Sequence, residues 1–137
     1  MYFVDTNIFV YAHDESDLRK SENARKLLTQ LIRTREGCIS AQVIQEFCNV
    51  SLRKSAIPLK SEDVALIIQD LFKPLLAHRP STEFYLNALK VYRRYSLSFY
   101  DALIVQAAID LDCKAIYSED MQTGAQYERV TIINPFA

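Results

Sequence analysis

The sequence predicts one α/β domain built on a mainly parallel sheet. Three observations carry that reading. Short apolar runs of strand length alternate with longer segments whose apolar residues recur at helical spacing. Half of the 137 residues are apolar, enough to bury a core in a chain of single-domain length. Only two glycines occur and no segment is rich in proline or serine, so residues 1–137 form one unit without a linker, an internal repeat or a low-complexity tract.

Tyr2-Phe3-Val4 opens as a buried strand ending at Asp5, after which Asp5 or Asn7 can cap a short helix from Ile8. A helix follows from about Asp17 to Thr34, with Ala24, Leu27, Leu28 and Leu31 as its apolar stripe. Arg33 and Arg35 suit its negative end, and Gly37 provides its stop. Cys38-Ile39 is a short strand, and Ser40 caps a helix reaching about Lys54. Past Pro58, Ser61 caps a helix with Glu62 and Asp63 in its first turn and Val64, Ile68, Leu71 and Phe72 on its buried face. Pro74 ends it, and Leu75-Leu76-Ala77 is the third strand. Pro80-Ser81 starts a helix with the face Phe84, Ala88, Tyr92, Tyr95. Ser98 caps a helix over 99–112 that is apolar on nearly every side and therefore central. Ala115–Tyr117 and Val130–Ile133 are the last two strands.

The chain lacks an apolar run long enough to span a bilayer, and its first residues do not have the pattern of a secretory signal, so a soluble, cytoplasmic protein is expected. Cys38, Cys48 and Cys113 have neither disulfide-framework nor zinc-ligand spacing and are read as small buried residues. His13 and His78 have no partner at ligand spacing and are read as surface or turn residues. Net charge is −1, but setting four clustered acids aside leaves 13 acids against 16 Lys and Arg, a mildly basic remainder compatible with nucleic acid.

Those four acids are Asp5, Glu46, Asp101 and Asp120. Asp5 and Asp120 each follow a strand, and in open parallel sheets ligands bind beyond the strands' carboxyl ends at the switch point of strand order. If the chain crosses over after the third strand, the first and fourth strands become neighbours and their acids flank one crevice. Asp101 lies in Ser98-Phe99-Tyr100-Asp101, a capping-box-like start, so a helix cap explains it unless the other acids converge on it, and capping and metal binding can coexist there. Taken singly, Asp120 is an ordinary turn residue and Glu46 an ordinary helix-surface residue. As a set they mean more. Carboxylates about 4 Å apart repel by roughly 1–4 kcal/mol per pair, which folding does not tolerate without a cation or shared protons. Hard Mg²⁺ or Mn²⁺ takes oxygen ligands and keeps waters, chemistry suited to phosphodiester hydrolysis.

Together Val4-Asp5-Thr6-Asn7, Glu46, Ser98-Phe99-Tyr100-Asp101-Ala102-Leu103-Ile104 and Tyr117-Ser118-Glu119-Asp120 resemble the PIN-domain nucleases, specifically the VapC-like toxins of type II toxin–antitoxin systems. The resemblance covers essentially the whole chain. It implies a three-layer α/β/α domain with strand order 3-2-1-4-5, Mg²⁺- or Mn²⁺-dependent endoribonuclease activity, a homodimer and a cognate antitoxin. It further implies that Asp5 and Asp101 ligate the metal, that Glu46 and Asp120 complete the cluster, and that Thr6, Asn7 and Ser118 hold the site by hydrogen bonds. Where some relatives carry a further acid, this chain has Gln122 and Thr123, which implies that a second metal binds weakly or only with substrate.

Competing readings are a phosphatase with Asp5 as nucleophile, set low because position 7 is Asn, and a receiver-like domain, discounted because Ala77-His78 ends the third strand. A catalytically weak RNA- or protein-binding module, or a nuclease acting on other single-stranded nucleic acid, is the main alternative. Tyr2, Tyr95 and Tyr100 are minority candidates to stack on bases. Arg93-Arg94, if placed beside Asp101, could guide a phosphate backbone.

Overall fold

The computed structural model describes residues 1–53 and 58–137. In chain order the elements are β1 (Tyr2–Val4), α1 (Thr6–His13), α2 (Leu18–Thr34), β2 (Gly37–Ser40), α3 (Ala41–Arg53) and α4 (Ser61–Ile67). A π-helical turn over Ile68–Phe72 joins α4 to α5 (Lys73–Leu75). Then come β3 (Leu76–His78), α6 (Thr82–Tyr95), α7 (Phe99–Asp110), β4 (Ala115–Tyr117), β5 (Gln126–Tyr127) and β6 (Val130–Ile133). The expected end of the third helix at Lys54 lies outside the described residues.

The sheet order is β3-β2-β1-β4-β6-β5. All pairings are parallel except β5 with β6. The five strands read from sequence therefore take the 3-2-1-4-5 order, and β5 adds an unexpected antiparallel edge. The chain reverses direction across the sheet between β3 and β4, which makes β1 and β4 neighbours, with Val4 opposite Tyr117. The helices form two packed groups that flank the sheet, α1 with α2 and α3, and α6 with α7. Phe9, Phe47 and Phe72 meet edge to face, with ring centroids 4.9 and 5.0 Å apart, and join α1, α3 and the π-turn into one core. Residues Ala102 to Ala108 are all buried, as a central helix requires. Among the described residues no helix is long and apolar enough to cross a membrane.

Several boundaries differ from the sequence reading. Arg35, not Gly37, takes the left-handed position that ends α2 (φ 59°). Gly37 instead begins β2, where a Cβ would stand 3.1 Å from that of Leu31, so the glycine permits close approach of α2 to the sheet. Ser61 is the first residue of α4 and not its cap; its hydroxyl donates to Glu62 at 3.2 Å. Pro74 does not end the helix. The π-turn resets the ladder, with Lys73 N–H donating to Ile68 C=O, and Pro74 falls in the first turn after it, where its missing N–H is harmless. The third strand is accordingly one residue later than read. The helix over 99–112 ends at Asp110.

His78 is buried, not a surface residue, and its Nε2 lies 3.0 Å from Asp110 Oδ2. His13 is exposed, as read. Cys38 and Cys113 are buried with their thiols 3.4 Å apart, whereas Cys48 is only half-buried.

Candidate active site

The strands β1 and β4 run parallel and stop together, and the residues that follow them meet. Asp5 N–H donates to Tyr117 C=O at 3.0 Å, extending the ladder by one rung. Ser118 Oγ then reaches across to Asp5 Oδ2 at 2.8 Å. Asp5 also caps α1, its Oδ1 accepting from Thr6 N–H at 2.8 Å. Helix capping and site building are thus one arrangement, because the cap fixes the carboxylate over the strand ends. Asp5 is only 7% exposed. Burial raises its pKa to about 6, against the lowering effect of the Ser118 and Thr6 hydrogen bonds, and the charges of Glu46 and Asp120 push the same way as burial.

Glu46 comes from α3. Thr6 Oγ1 donates to its Oε1 at 3.0 Å, and Gln42 Nε2, one helical turn earlier, donates to the same oxygen at 3.3 Å. Burial raises the pKa of Glu46 despite these two donors, with Asp101 and Asp120 repelling it further. Asp120 is exposed at the rim. Asn7 Nδ2 donates to its Oδ2 at 2.9 Å, and Asn7 Oδ1 accepts from Glu119 N–H at 3.3 Å, so one amide pins the loop after β4.

Asp101 stands in the first turn of α7. Its backbone N–H donates to Ser98 Oγ at 3.2 Å. The reciprocal half of a capping box is missing: among the described residues no hydrogen bond engages the Asp101 carboxylate. That side chain instead lies within electrostatic reach of Glu46. All four acids named from sequence therefore share one neighbourhood; Thr6 holds both Asp5 and Glu46 by hydrogen bonds, Asn7 holds Asp120 and Ser118 holds Asp5.

The charge balance of this neighbourhood is unusual. Among the described residues the ion pairs are Lys20–Glu119, Arg25–Glu15 and Arg94–Glu128, His78 and Asp110 share a hydrogen bond, and none of these involves the four acids. A cluster of carboxylates without a basic partner, one of them buried, has the charge and the hard oxygen donors that a divalent ion requires. Among the described residues no three such side chains already close around an ion-sized space.

Sequence reading missed two supports. Gln42 bridges Glu46 and the Tyr100 carbonyl, 3.3 Å from each, and so ties α3 to the start of α7. Its i−4 spacing from Glu46 was the available signal. Glu119 is held by Lys20 Nζ and the Tyr11 hydroxyl, both at 2.6 Å, which anchors the Asp120 loop to α2 and α1; no local pattern announces that contact. Other candidates are turned elsewhere. Arg94 pairs with Glu128 at 2.7 Å and stacks on Tyr95, so it does not face Asp101. Tyr2 packs on Tyr117 and Tyr95 on Tyr127. Tyr100 alone of the three tyrosines is well exposed.

Comparison with known proteins agrees with this architecture. The fold is similar to that of VapC20 of Mycobacterium tuberculosis, described as a sarcin–ricin loop cleaving toxin (TM-score 0.65, 17% identity, 88% of this chain and 90% of that one). It is similar to FitAcB from Neisseria gonorrhoeae (TM-score 0.69, 14% identity, 99% of each chain). It is also similar to FitAB bound to an IR36 DNA fragment (TM-score 0.72, 16% identity, 100% of this chain and 96% of that one). Identities this low speak for the fold alone. No curated protein matches the chain in sequence. The family model for the PIN domain matches residues 2–125, and with the sheet order and the paired strand ends this establishes that the chain belongs to the PIN domain family.

Proposed function

We propose that this protein is a Mg²⁺- or Mn²⁺-dependent endoribonuclease and the toxin of a toxin–antitoxin pair. The observation that carries the reading is the group of four carboxylates without a basic partner at the C-terminal edge of the sheet. Asp5 and Asp101 would hold the metal, with Glu46 and Asp120 completing the set. Bound there, the ion would offset phosphate charge and make a water more acidic.

The chain's own residues supply the rest. Ser118 and the Thr6 amide hold both Asp5 oxygens in place, so the carboxylate is oriented before any ligand arrives. Asn7 fixes Asp120 at the rim. Glu46 Oε1 is occupied by Thr6 and Gln42, which leaves Oε2 to take the proton of an attacking water. Burial raises the proton affinity of Glu46 in the direction that role needs. As the water oxygen bonds to phosphorus, the bond from phosphorus to the departing oxygen breaks and that oxygen takes a proton from solvent, giving one phosphate end and one hydroxyl end.

The likeness to a protein described as a sarcin–ricin loop cleaving toxin supports the toxin reading, and RNA as the substrate is part of the proposal. A cognate antitoxin that covers the acids, a homodimer and a cytoplasmic setting complete the proposal. The test is Asp5→Asn and Asp101→Asn, each assayed for cleavage of a fluorogenic RNA and for growth arrest on expression. Cleavage should fall at least about 100-fold in both, and chelator should abolish wild-type cleavage. Full activity in both variants, or undiminished wild-type cleavage in chelator, overturns the proposal.

A further inference from the structure

We propose that the cavity beside the acid cluster is a subsite for a single nucleobase of the strand being cut, an inference that rests on the nuclease reading above. The cavity, about 250 Å³, opens on the same edge of the sheet as the four acids, where β2 and β3 end. That is below the roughly 300 Å³ at which drug-sized pockets begin, and it suits one planar ring better than a base pair.

Its walls are aromatic. His78 and Phe84 pack with ring centroids 4.5 Å apart at the buried end, and Tyr85, Phe99 and Tyr100 present partly exposed rings toward solvent. Unpaired bases are recognised by stacking on such faces together with hydrogen bonds to their edges. The polar groups for that purpose are present. Ser40, 4% exposed, lines the cavity, and its hydroxyl has no hydrogen-bond partner. A buried hydroxyl without a partner is costly, and rotation of the Ser40 side chain toward the cavity would let a base edge supply one. The register of β2 against β3 shifts between Ile39 and Ser40, so the backbone is irregular where this hydroxyl sits. Gln45 adds an amide at the exposed rim.

The wall is also continuous with the reaction site. Gln42 lines the cavity while donating to Glu46 and to the Tyr100 carbonyl, and Tyr100 immediately precedes Asp101. A base seated here places its own phosphodiester beside the carboxylates.

The experiment measures binding, not cleavage. A short single-stranded RNA labelled with a fluorophore is titrated with full-length protein in chelator, and the titration is repeated with one abasic nucleotide at each position in turn. One position should weaken binding about ten-fold when its base is removed. Tyr85→Ala and, separately, Ser40→Ala should weaken binding of the intact RNA, yet change little for the RNA abasic at that position, because both changes remove the same contact. Tyr92→Ala, an exposed tyrosine of α6 outside the cavity, should change neither. If wild-type protein binds and cuts RNA but no position couples to Tyr85 or Ser40, the subsite is wrong and the nuclease reading stands. If wild-type protein neither binds nor cuts RNA, both fall.

Discussion

Asp5 carries opposing demands. An aspartate that is buried and kept near two other carboxylates is poorly placed for stability, and its pKa of about 6 records the cost. The folded, metal-free protein binds this proton more tightly than the unfolded chain, where the value is 3.8. The sign follows directly: stability from this group is fully present below about pH 4 and is lost as pH rises through about 6. At roughly 1.4 kcal/mol per pKa unit, the ionised carboxylate costs about 3 kcal/mol near neutrality. Asp5→Asn removes that titration and still offers Thr6 N–H an acceptor. The variant should therefore be inactive but more stable than wild type at pH 7 without metal, by up to about 3 kcal/mol, and nearly equal to it at pH 4. Urea unfolding in chelator at the two pH values measures this; parallel pH dependence in both proteins would contradict it.

At the scale of the element, α7 shows how one helix start serves two ends. Ser98 accepts from Asp101 N–H, and Asp101 spends its carboxylate on the neighbourhood of Glu46 instead of on the cap. Ser98→Ala should cost about 1 kcal/mol of stability and lower the melting temperature by a few degrees. Cleavage should fall only a few-fold, because Gln42 still ties the start of α7 to α3. Calorimetry and single-turnover kinetics check the pair, and a loss as deep as that of Asp101→Asn would mean that the cap, not the carboxylate, is what matters.

The same scale explains which parts of the fold could be read in advance. The strands flanking the acids were legible, and Asp5 with them, because apolar runs stop at residues that cap helices, a local pattern; Glu46, Asp101 and Asp120 carry no such mark and stood out only as a set and by the family resemblance. The β5–β6 hairpin was not. Its two-residue turn is Glu128-Arg129, without the Asn or Gly that signals such turns, and Glu128 adopts φ 55°. That conformation is held from outside, by Arg94 and by the Tyr95 hydroxyl, which donates to the Glu128 carboxylate and accepts from its N–H. Pro74 misled for a related reason, since the π-turn that absorbs it depends on Phe72 packing against Phe9 and Phe47. The cavity at Ser40 is likewise a product of two strand ends and three helices, and no single segment carries its signature.

For the whole molecule, the decisive property is that folding brings four acids into one neighbourhood in which, among the described residues, none has a basic partner. An ion that binds only the folded state must then stabilise it by mass action, by about 2.7 kcal/mol when present at 100 times its dissociation constant. Millimolar Mn²⁺ should raise the melting temperature of wild-type protein at pH 7.5 by several degrees, and chelator should reverse the shift. Protons compete for Asp5, so the shift should shrink as pH drops below about 6, where that carboxylate is neutral. Asp101→Asn should abolish most of it, whereas Arg94→Ala, on a residue paired with Glu128 away from the acids, should leave it intact. This measurement needs no substrate and therefore separates metal binding from cleavage. A melting temperature indifferent to Mn²⁺ at every pH would mean that the carboxylates tolerate their mutual repulsion by sharing protons, and the site would then lack the ion on which the proposed hydrolysis depends.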